Sequence, residues 1–352
     1  MEDCFAPLAL LPQRLPGWFQ AHRRDLPWRR DREPYHVWLS EIMLQQTRVE
    51  AVKGYYTRFL EVLPSIEALA QVPEAQLLKL WEGLGYYNRA RNLQKAARVI
   101  LTEHQSIFPR DYDAIRGLPG IGDYTAGAIC SICFEARTPA VDGNVLRVVS
   151  RICDYHGCID DSKEKKRITA ALAQVYPPAA GDFTQSLMEL GATVCLPNGA
   201  PLCKQCPMER ECLARQRGTI DELPVRKEKK PRRQEDMTVF LLTCGDRIAL
   251  QKRPDTGLLA GLYEFPHSSG ILEPQEIIAQ AETWGLEPQY LEKLVRRNHI
   301  FTHIQWNMTG ARLHCGREST QFIWADRSAI GREYALPTAF RQFLPDLSPE
   351  TD

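Results

Sequence analysis

The stretch "LPGIGDYTAGA", residues 118–128, places Gly120 and Gly122 around a tight turn and follows them with a run of small residues suited to a closely packed helix. Backbone N–H groups at such a helix start point outward and suit an anion, a phosphate for example. A Gly-x-Gly turn alone is equally an ordinary helix connection, so its neighbours have to carry the reading. Twenty residues after Gly122 comes "VDGNVLRVV", with Asp142 at the mouth of a helix in an N-cap-like position. Val145, Val148, Val149 and Ile152 then recur at i, i+3, i+4 and i+7, the apolar face of that helix.

Outward from this centre the chain divides in two. Up to about residue 216 the apolar spacing is helical: "PYHVWLSEIMLQQTRVEAVKGYYTRFL" has it throughout, and "EAQLLKLWEGLGYYNRARNLQKAARVI" breaks at Gly83 and Gly85 before resuming. Residues 217–236 are charged, contain Pro224 and Pro231, lack periodicity and read as a linker. After it, "MTVFLLTC", "RIALQKR", "LYEFP" and "RNHIFTHIQWNMTGARL" read as strands, with a helical segment around 274–284, so that 237–352 is a separate α+β domain. At 352 residues and 44% apolar content the chain is long enough for two cores. No apolar run approaches the roughly 18 to 20 residues of a spanning helix, and the acidic start "MEDCFAPLALLPQRLP" does not read as a signal peptide. The expectation is an intracellular, reducing location without disulfides.

Formal charge is zero, so bulk electrostatics name no partner. Locally, Arg14, Arg23, Arg24, Arg29, Arg30 and Arg32 crowd the start and "RKEKKPRR" fills 226–233; either could face phosphates or simply be a solvated surface. Four of the eleven cysteines, Cys195, Cys203, Cys206 and Cys212, fall within "CLPNGAPLCKQCPMEREC". One C-x2-C pair with two outlying members could hold zinc, although structural zinc sites usually combine two close pairs. The layout also suits four thiolates around an iron–sulfur cubane.

Taken together, Pro-Gly-Ile-Gly, Asp142 opening a helix and the cysteine cluster resemble the helix-hairpin-helix DNA glycosylases of the endonuclease III superfamily. Within it, "LPWR" (26–29), "SEIMLQQTRVE" (40–50), "GLGYYNRARNL" (83–93), "VDGNVLRV" and "MELGATVC" resemble the MutY-type adenine glycosylases, over roughly residues 10–345. The resemblance implies a mainly α catalytic domain, 1–216, of helix-hairpin-helix fold with a [4Fe–4S] loop at 195–212, the linker, and a Nudix-like domain at 237–352. It implies removal of adenine mispaired with 8-oxoguanine, or guanine, from double-stranded DNA by a monomer in base excision repair, located with the nucleoid in a bacterial-type cytoplasm. The family spacing of the cysteines is C-x6-C-x2-C-x5-C, whereas seven residues separate Cys195 from Cys203 here; Gly199 and the prolines can absorb the extra one.

Position 124 separates the subtypes. Bifunctional relatives carry a lysine whose amine forms a Schiff base with the sugar; Tyr124 cannot, so base removal without strand cleavage is implied. Glycosidic hydrolysis needs a proton for the departing base and negative charge beside the sugar cation, hence two carboxyl groups in different environments. Glu41 lies among Trp38, Leu39, Ile42, Met43 and Leu44, surroundings that favour the protonated acid. By resemblance Glu41 is the general acid and Asp142 the stabiliser of the sugar cation, supported by Tyr124 and Asn144. Gln46 and Tyr86 match positions that wedge and stack where a base has been flipped out, Trp28, Arg29 and Gln185 match the adenine pocket, and Gly120 and Gly122 the hairpin. In the second half "GLLAGLYEFP" resembles the Nudix-like domain of this family, but "EPQEIIAQAETWG" lacks the Arg-Glu-x-x-Glu-Glu arrangement of a Mg²⁺ site, which argues against pyrophosphohydrolase activity. Thr302 and His303 of "FTH" match the loop that reads 8-oxoguanine. The competing readings are a bifunctional pyrimidine-lesion glycosylase and lyase, disfavoured by Tyr124, and a non-catalytic mismatch-binding protein, disfavoured by the two intact carboxyl positions.

Overall fold

Breaks in apolar periodicity become helix ends. In the computed structural model, which describes residues 3–228 and 230–347, the helices are α1 Leu11–His22, α2 Pro34–Leu44, α3 Val49–Val62, α4 Ile66–Gln71, α5 Glu74–Leu80, α6 Asn88–Glu103, α7 Tyr112–Gly117, α8 Asp123–Phe134, α9 Gly143–Ile152, α10 Ser162–Ala173, α11 Ala180–Thr193 and α12 Leu213–Arg217. The strands follow: β1 Arg233–Cys244, β2 Arg247–Lys252, β3 Tyr263–Glu264, β4 His267–Ser269, β5 Pro288–Ile300, β6 Ile304–Cys315 and β7 Ile323–Asp326, with α13 Pro274–Thr283 between β4 and β5, and α14 Arg327–Glu333 and α15 Thr338–Arg341 after β7. Two units form, Met1–Gln71 with Asn92–Glu228, and Val72–Arg91 with Lys229–Asp352.

In the first unit α11 packs against α1, α8 and α9, and α2 packs against α8. The predicted face of α9 is the buried one: Val145, Val148, Val149 and Ile152 all lie in a core with Leu11, Leu15, Phe183, Leu187 and Leu190. Each such side chain contributes about 1.5 to 3 kcal/mol by leaving water. Between α7 and α8 runs the hairpin of residues 118–122. Gly120 has φ +79°, and a Cβ there would stand 2.5 Å from the Cβ of Asn92, so both backbone hand and space require glycine. Gly122, the N-cap of α8, has an extended backbone at φ −99°.

The second unit is built on a sheet ordered β3-β2-β1-β6-β5, with β4 beside β1 and β7 beside β2. β1 and β6 pair in parallel from Arg233 opposite Ile304 to Thr243 opposite His314. Residues 237–243 are buried without alternation because cores lie on both sides. One contains Ile277 and Ala281 of α13, the other Ile330, Phe340 and Phe343. The segment Val72–Arg91 docks on this unit through polar clasps. Lys79 Nζ donates to the carbonyls of Ile330 at 3.2 Å and Tyr334 at 2.9 Å, Glu82 accepts from Leu336 N at 2.7 Å, and Arg91 donates to Ala260 O at 2.7 Å.

Two features differ from the sequence reading. "RNHIFTHIQWNMTGARL" is not one strand but the end of β5 and the start of β6, folded back at Phe301–His303, where Phe301 N donates to Ile304 O at 2.8 Å. The turn contains no Gly, Pro, Asn or Asp to announce it. The stretch 217–236 is also partly ordered: residues 220–222 form a helical turn, Ile159 N donates to Val225 O at 3.0 Å, Lys227 pairs with Asp161 at 2.5 Å, and residues 233–236 belong to β1. All eleven cysteines are free, and among the described residues no helix is long and apolar enough to cross a membrane.

The hairpin gives a contrast to measure. Gly120→Ala should destabilise the chain by about 2 kcal/mol or more through left-handed strain and the Asn92 overlap, whereas Gly122→Ala, which meets nothing within 4 Å, should cost under about 1 kcal/mol. Urea unfolding of the two variants checks the order.

Candidate active site

Three helix ends converge on one pocket. α2 starts with Pro34 at its first turn and is buried along residues 37–43, which carries Glu41 to only 6% exposure. The first turn of α8 brings Tyr124 opposite, and its hydroxyl donates to Glu41 Oε2 at 2.5 Å. The start of α9 supplies Asp142, whose carboxylate accepts from Val145 N at 2.8 Å and from Asn144 Nδ2 at 2.8 Å. All three line an open pocket enclosing about 710 Å³, solvent-facing space included, together with Trp28, Arg29, Asn144 and Gln185.

The two acids have different surroundings. Burial raises Glu41 from 4.5 to about 7, with Asp142 adding to the rise and the Tyr124 hydrogen bond and Arg29 opposing it. Burial also raises Asp142, but here the hydrogen bonds from Val145 and Asn144 and the charge of Arg147 oppose the rise. Tyr124 is pushed well above 10, chiefly by burial and then by the neighbouring carboxyl groups, and therefore stays a donor.

Sequence reasoning placed Arg29 in this pocket but missed Glu189, Arg24 and Arg147, which hold the pocket together. Glu189, fully buried on α11, accepts from Arg24 N at 2.9 Å, Nε at 2.8 Å and Nη2 at 2.7 Å, and from Arg29 Nη2 at 2.8 Å. Burial alone would raise this carboxyl group; the arginine hydrogen bonds outweigh it and hold it down at about 2. Arg24 and Arg29 are thus pocket residues, and Arg14 and Arg32 pair with Glu211 and with Glu135 and Asp182. Of the arginines clustered near the start, these four are engaged within the protein rather than forming a solvated run. An acid inside the apolar stretch "LMELGA" was the available signal for Glu189. Behind Asp142, Asn144 Oδ1 accepts from Arg147 Nη2 at 2.9 Å, and Arg147 donates on to Gly191 O and Cys195 O, each at 2.7 Å. Gly191 must be glycine, since a Cβ would stand 2.6 Å from that of Asn144.

Trp28 is buried, edge-on to Tyr56 with ring centroids 5.5 Å apart. Gln46 lies just past α2, exposed, at φ 57°, and does not line the pocket. Tyr86, Thr302 and His303 belong to the second unit, where all three are exposed.

Cys195, Cys203, Cys206 and Cys212 line a separate pocket with Val148, Ile152, Leu190 and Val194. Burial raises Cys206 to about 12, the nearby cysteines adding to it and the Met208 amide opposing it. Among the described residues no three His, Cys, Asp or Glu side chains converge on a single ion. Four thiols on one pocket are the donor set that a four-thiolate group requires. Gly199, in the longer stretch between Cys195 and Cys203, has φ +71°. Leu202 N returns to Val194 O at 2.9 Å, while Arg151 donates to Leu196 O at 2.8 Å.

The family model described as HhH-GPD superfamily base excision DNA repair protein matches residues 39–178, and a NUDIX domain model matches 238–346. A thermostable thymine-DNA glycosylase of known structure is 28% identical and superposes with a TM-score of 0.53 over 60% of this chain and 97% of its own. Proteins named adenine DNA glycosylase align over most of the length: the human one is 36% identical over 82% of this chain and 64% of its own, and that of Buchnera aphidicola is 34% identical over 84% of this chain and 83% of its own. The chain belongs to the adenine DNA glycosylase family. It spans just under two thirds of the length of the human relative.

The raised Glu41 has a stability consequence of definite sign. Between pH 4.5 and 7 the unfolded chain gives up this proton while the folded chain keeps it, so folding loses stability as pH rises through that window and the loss persists above it. Glu41→Gln should therefore match the parent near pH 4.5 and exceed it at pH 8 by on the order of 2 to 3 kcal/mol, read by chemical unfolding at the two pH values.

Proposed function

We propose that this chain is a monofunctional glycosylase that hydrolyses the N-glycosidic bond of adenine mispaired with 8-oxoguanine, or with guanine, in duplex DNA. The observation that carries the proposal is the pairing in one pocket of a buried carboxyl group, protonated up to about pH 7, with a second held by donors at a helix start. Adenine inside a duplex cannot reach such groups, so the nucleotide is extruded, with Gln46 and Tyr86 filling and stacking on the vacancy. Trp28, Arg29 and Gln185 receive the base, Gln185 offering both a donor and an acceptor to its edge.

Glu41 then gives its proton to the five-membered ring of adenine, making it a neutral leaving group. Cleavage leaves a cation on the sugar, which the Asp142 carboxylate stabilises while Asn144 holds it oriented. Glu41, now a carboxylate steadied by the Tyr124 hydroxyl, takes a proton from the attacking water and is reset. Since residue 124 is a phenol, no imine to the sugar forms and the strand stays intact. Thr302 and His303 are the proposed readers of the opposite base, and Gly120 and Gly122 turn backbone N–H groups toward a phosphate. A [4Fe–4S] cluster on the four cysteines would stiffen residues 195–212, presenting Lys204, Arg210 and Arg215 to the backbone; Arg215 is paired with Glu209 at 2.6 Å.

An end-labelled duplex with one adenine opposite 8-oxoguanine tests this. Breaks should appear only after alkali; breaks without alkali would mean a lyase, and none at all a binding protein. Glu41→Gln should lower excision at least about a thousandfold, acid loss compounding with loss of the base, with mismatch binding retained. In the parent, excision should fall as pH rises through about 7, where Glu41 loses its proton. Purified protein should show visible absorption and about four iron atoms per chain, as a cubane requires, and Cys206→Ser should reduce both.

A further inference from the structure

The charged stretch after α12 is anchored one residue at a time. Leu223 is buried, and its carbonyl accepts from Arg151 Nε at 3.1 Å. The Val225 carbonyl accepts from Ile159 N at 3.0 Å. Lys227 N donates to Asp160 Oδ2 at 3.0 Å, and its amine pairs with Asp161 at 2.5 Å. Between these fixed points Arg226 is exposed, and among the described residues its guanidinium has neither a hydrogen bond nor an ion pair. It rests against Gly143, the residue after Asp142: a Cβ at Gly143 would meet only Arg226 Nη2, at 3.8 Å. The Asp142 carboxylate does not take the guanidinium up, being bound to Val145 N and Asn144 Nδ2. Nothing inside the protein asks for a glycine at this place. Its backbone is not left-handed, and 3.8 Å is ordinary van der Waals distance, unlike the overlaps at Gly120 and Gly191. Yet Gly143 is exposed between two residues that line the active pocket, Asp142 and Asn144. What remains is the other use of glycine, close approach of something outside to the backbone.

We infer that Arg226 and the bare backbone of Gly143 seat a phosphodiester flanking the extruded nucleotide. This rests on the reading of Asp142 beside the sugar proposed above. The phosphates hang on C3′ and C5′ of that sugar, and Gly143 is one Cα step of about 3.8 Å from Asp142. A phosphodiester supplies the negative charge that the guanidinium lacks, and two of its oxygens match the planar fork of donors. A side chain at position 143 would hold the phosphate off. Within the basic run 226–233 the two neighbours therefore have different tasks: Lys227 ties the backbone to Asp160 and Asp161, and Arg226, held by that tie, meets the DNA.

The test uses the full chain as parent, Arg226→Ala, Arg226→Lys, Lys227→Ala and Gly143→Ala. Each is titrated onto a duplex with 2′-fluoro-deoxyadenosine opposite 8-oxoguanine, the fluorine destabilising the sugar cation so that the base stays in place. Arg226→Ala should bind about tenfold more weakly and lower the slope of log Kd against log salt by about 1. Arg226→Lys should keep the parent slope, and so should Lys227→Ala. A single uncharged methylphosphonate placed 5′ or 3′ of the adenosine then locates the seat: at one of the two positions it should weaken the parent about tenfold and leave Arg226→Ala no weaker than before. Gly143→Ala should unfold in urea as the parent does, yet bind about tenfold more weakly, the scale of one charge-assisted hydrogen bond. An unchanged slope in Arg226→Ala, an equal drop in Lys227→Ala, or equal methylphosphonate losses in parent and Arg226→Ala at both positions would each overturn the inference. So would parent-like binding by Gly143→Ala. All four outcomes leave the excision of adenine by the parent untouched, whereas no excision from the ordinary duplex would take down the reading of Asp142 and the inference with it.

Discussion

A carboxyl group stripped of water and left with one phenol as its donor is the constraint on which the active pocket depends. Glu41 on α2 and Tyr124 on α8 meet at 2.5 Å, and that contact requires α8 to start where it does. The start is set in turn by the glycine hairpin before it. Were α8 displaced by a residue, the phenol would rotate about 100° around its helix axis and the acid would be buried with no donor, an arrangement costing several kcal/mol. The hairpin therefore serves the pocket by fixing the register of a helix.

A second set of contacts keeps the pocket from collapsing around this bond. Glu189 neutralises Arg24 and Arg29 inside the wall, so two cations can line the cavity without driving Glu41 to ionise. On the far side, Arg147 connects Asn144 to the carbonyl of Cys195. The orientation of Asp142 and the shape of the cysteine loop are thus joined through one guanidinium, whose planar fork reaches three acceptors at once.

The fold was legible where periodicity was strong. The face of α9 and the breaks at Gly83 and Gly85 could be read directly, as could β1 and β2. The turn at Phe301–His303 was not, because its residues carry no turn chemistry and both flanks are good strand formers. The two pocket carboxyl groups were visible through motif and apolar context, whereas Glu189 and Arg147 were hidden for a physical reason. Their role depends on partners in distant parts of the chain, and a charged residue in a helical run is ordinarily a surface residue. The docking of Val72–Arg91 was equally invisible, since its clasps run from side chains to backbone carbonyls that no residue type encodes.

That docking bears on how the molecule comes into being. During synthesis Val72–Arg91 leaves the ribosome after Met1–Gln71 and before Asn92–Glu228, and only then do the strands arrive that it docks on. A piece of the second unit must wait, partly uncovered, through the making of the first. The chain is thus interleaved: a gene cut near residue 228 would leave the second product without Val72–Arg91 and the first carrying that segment with nothing to dock on.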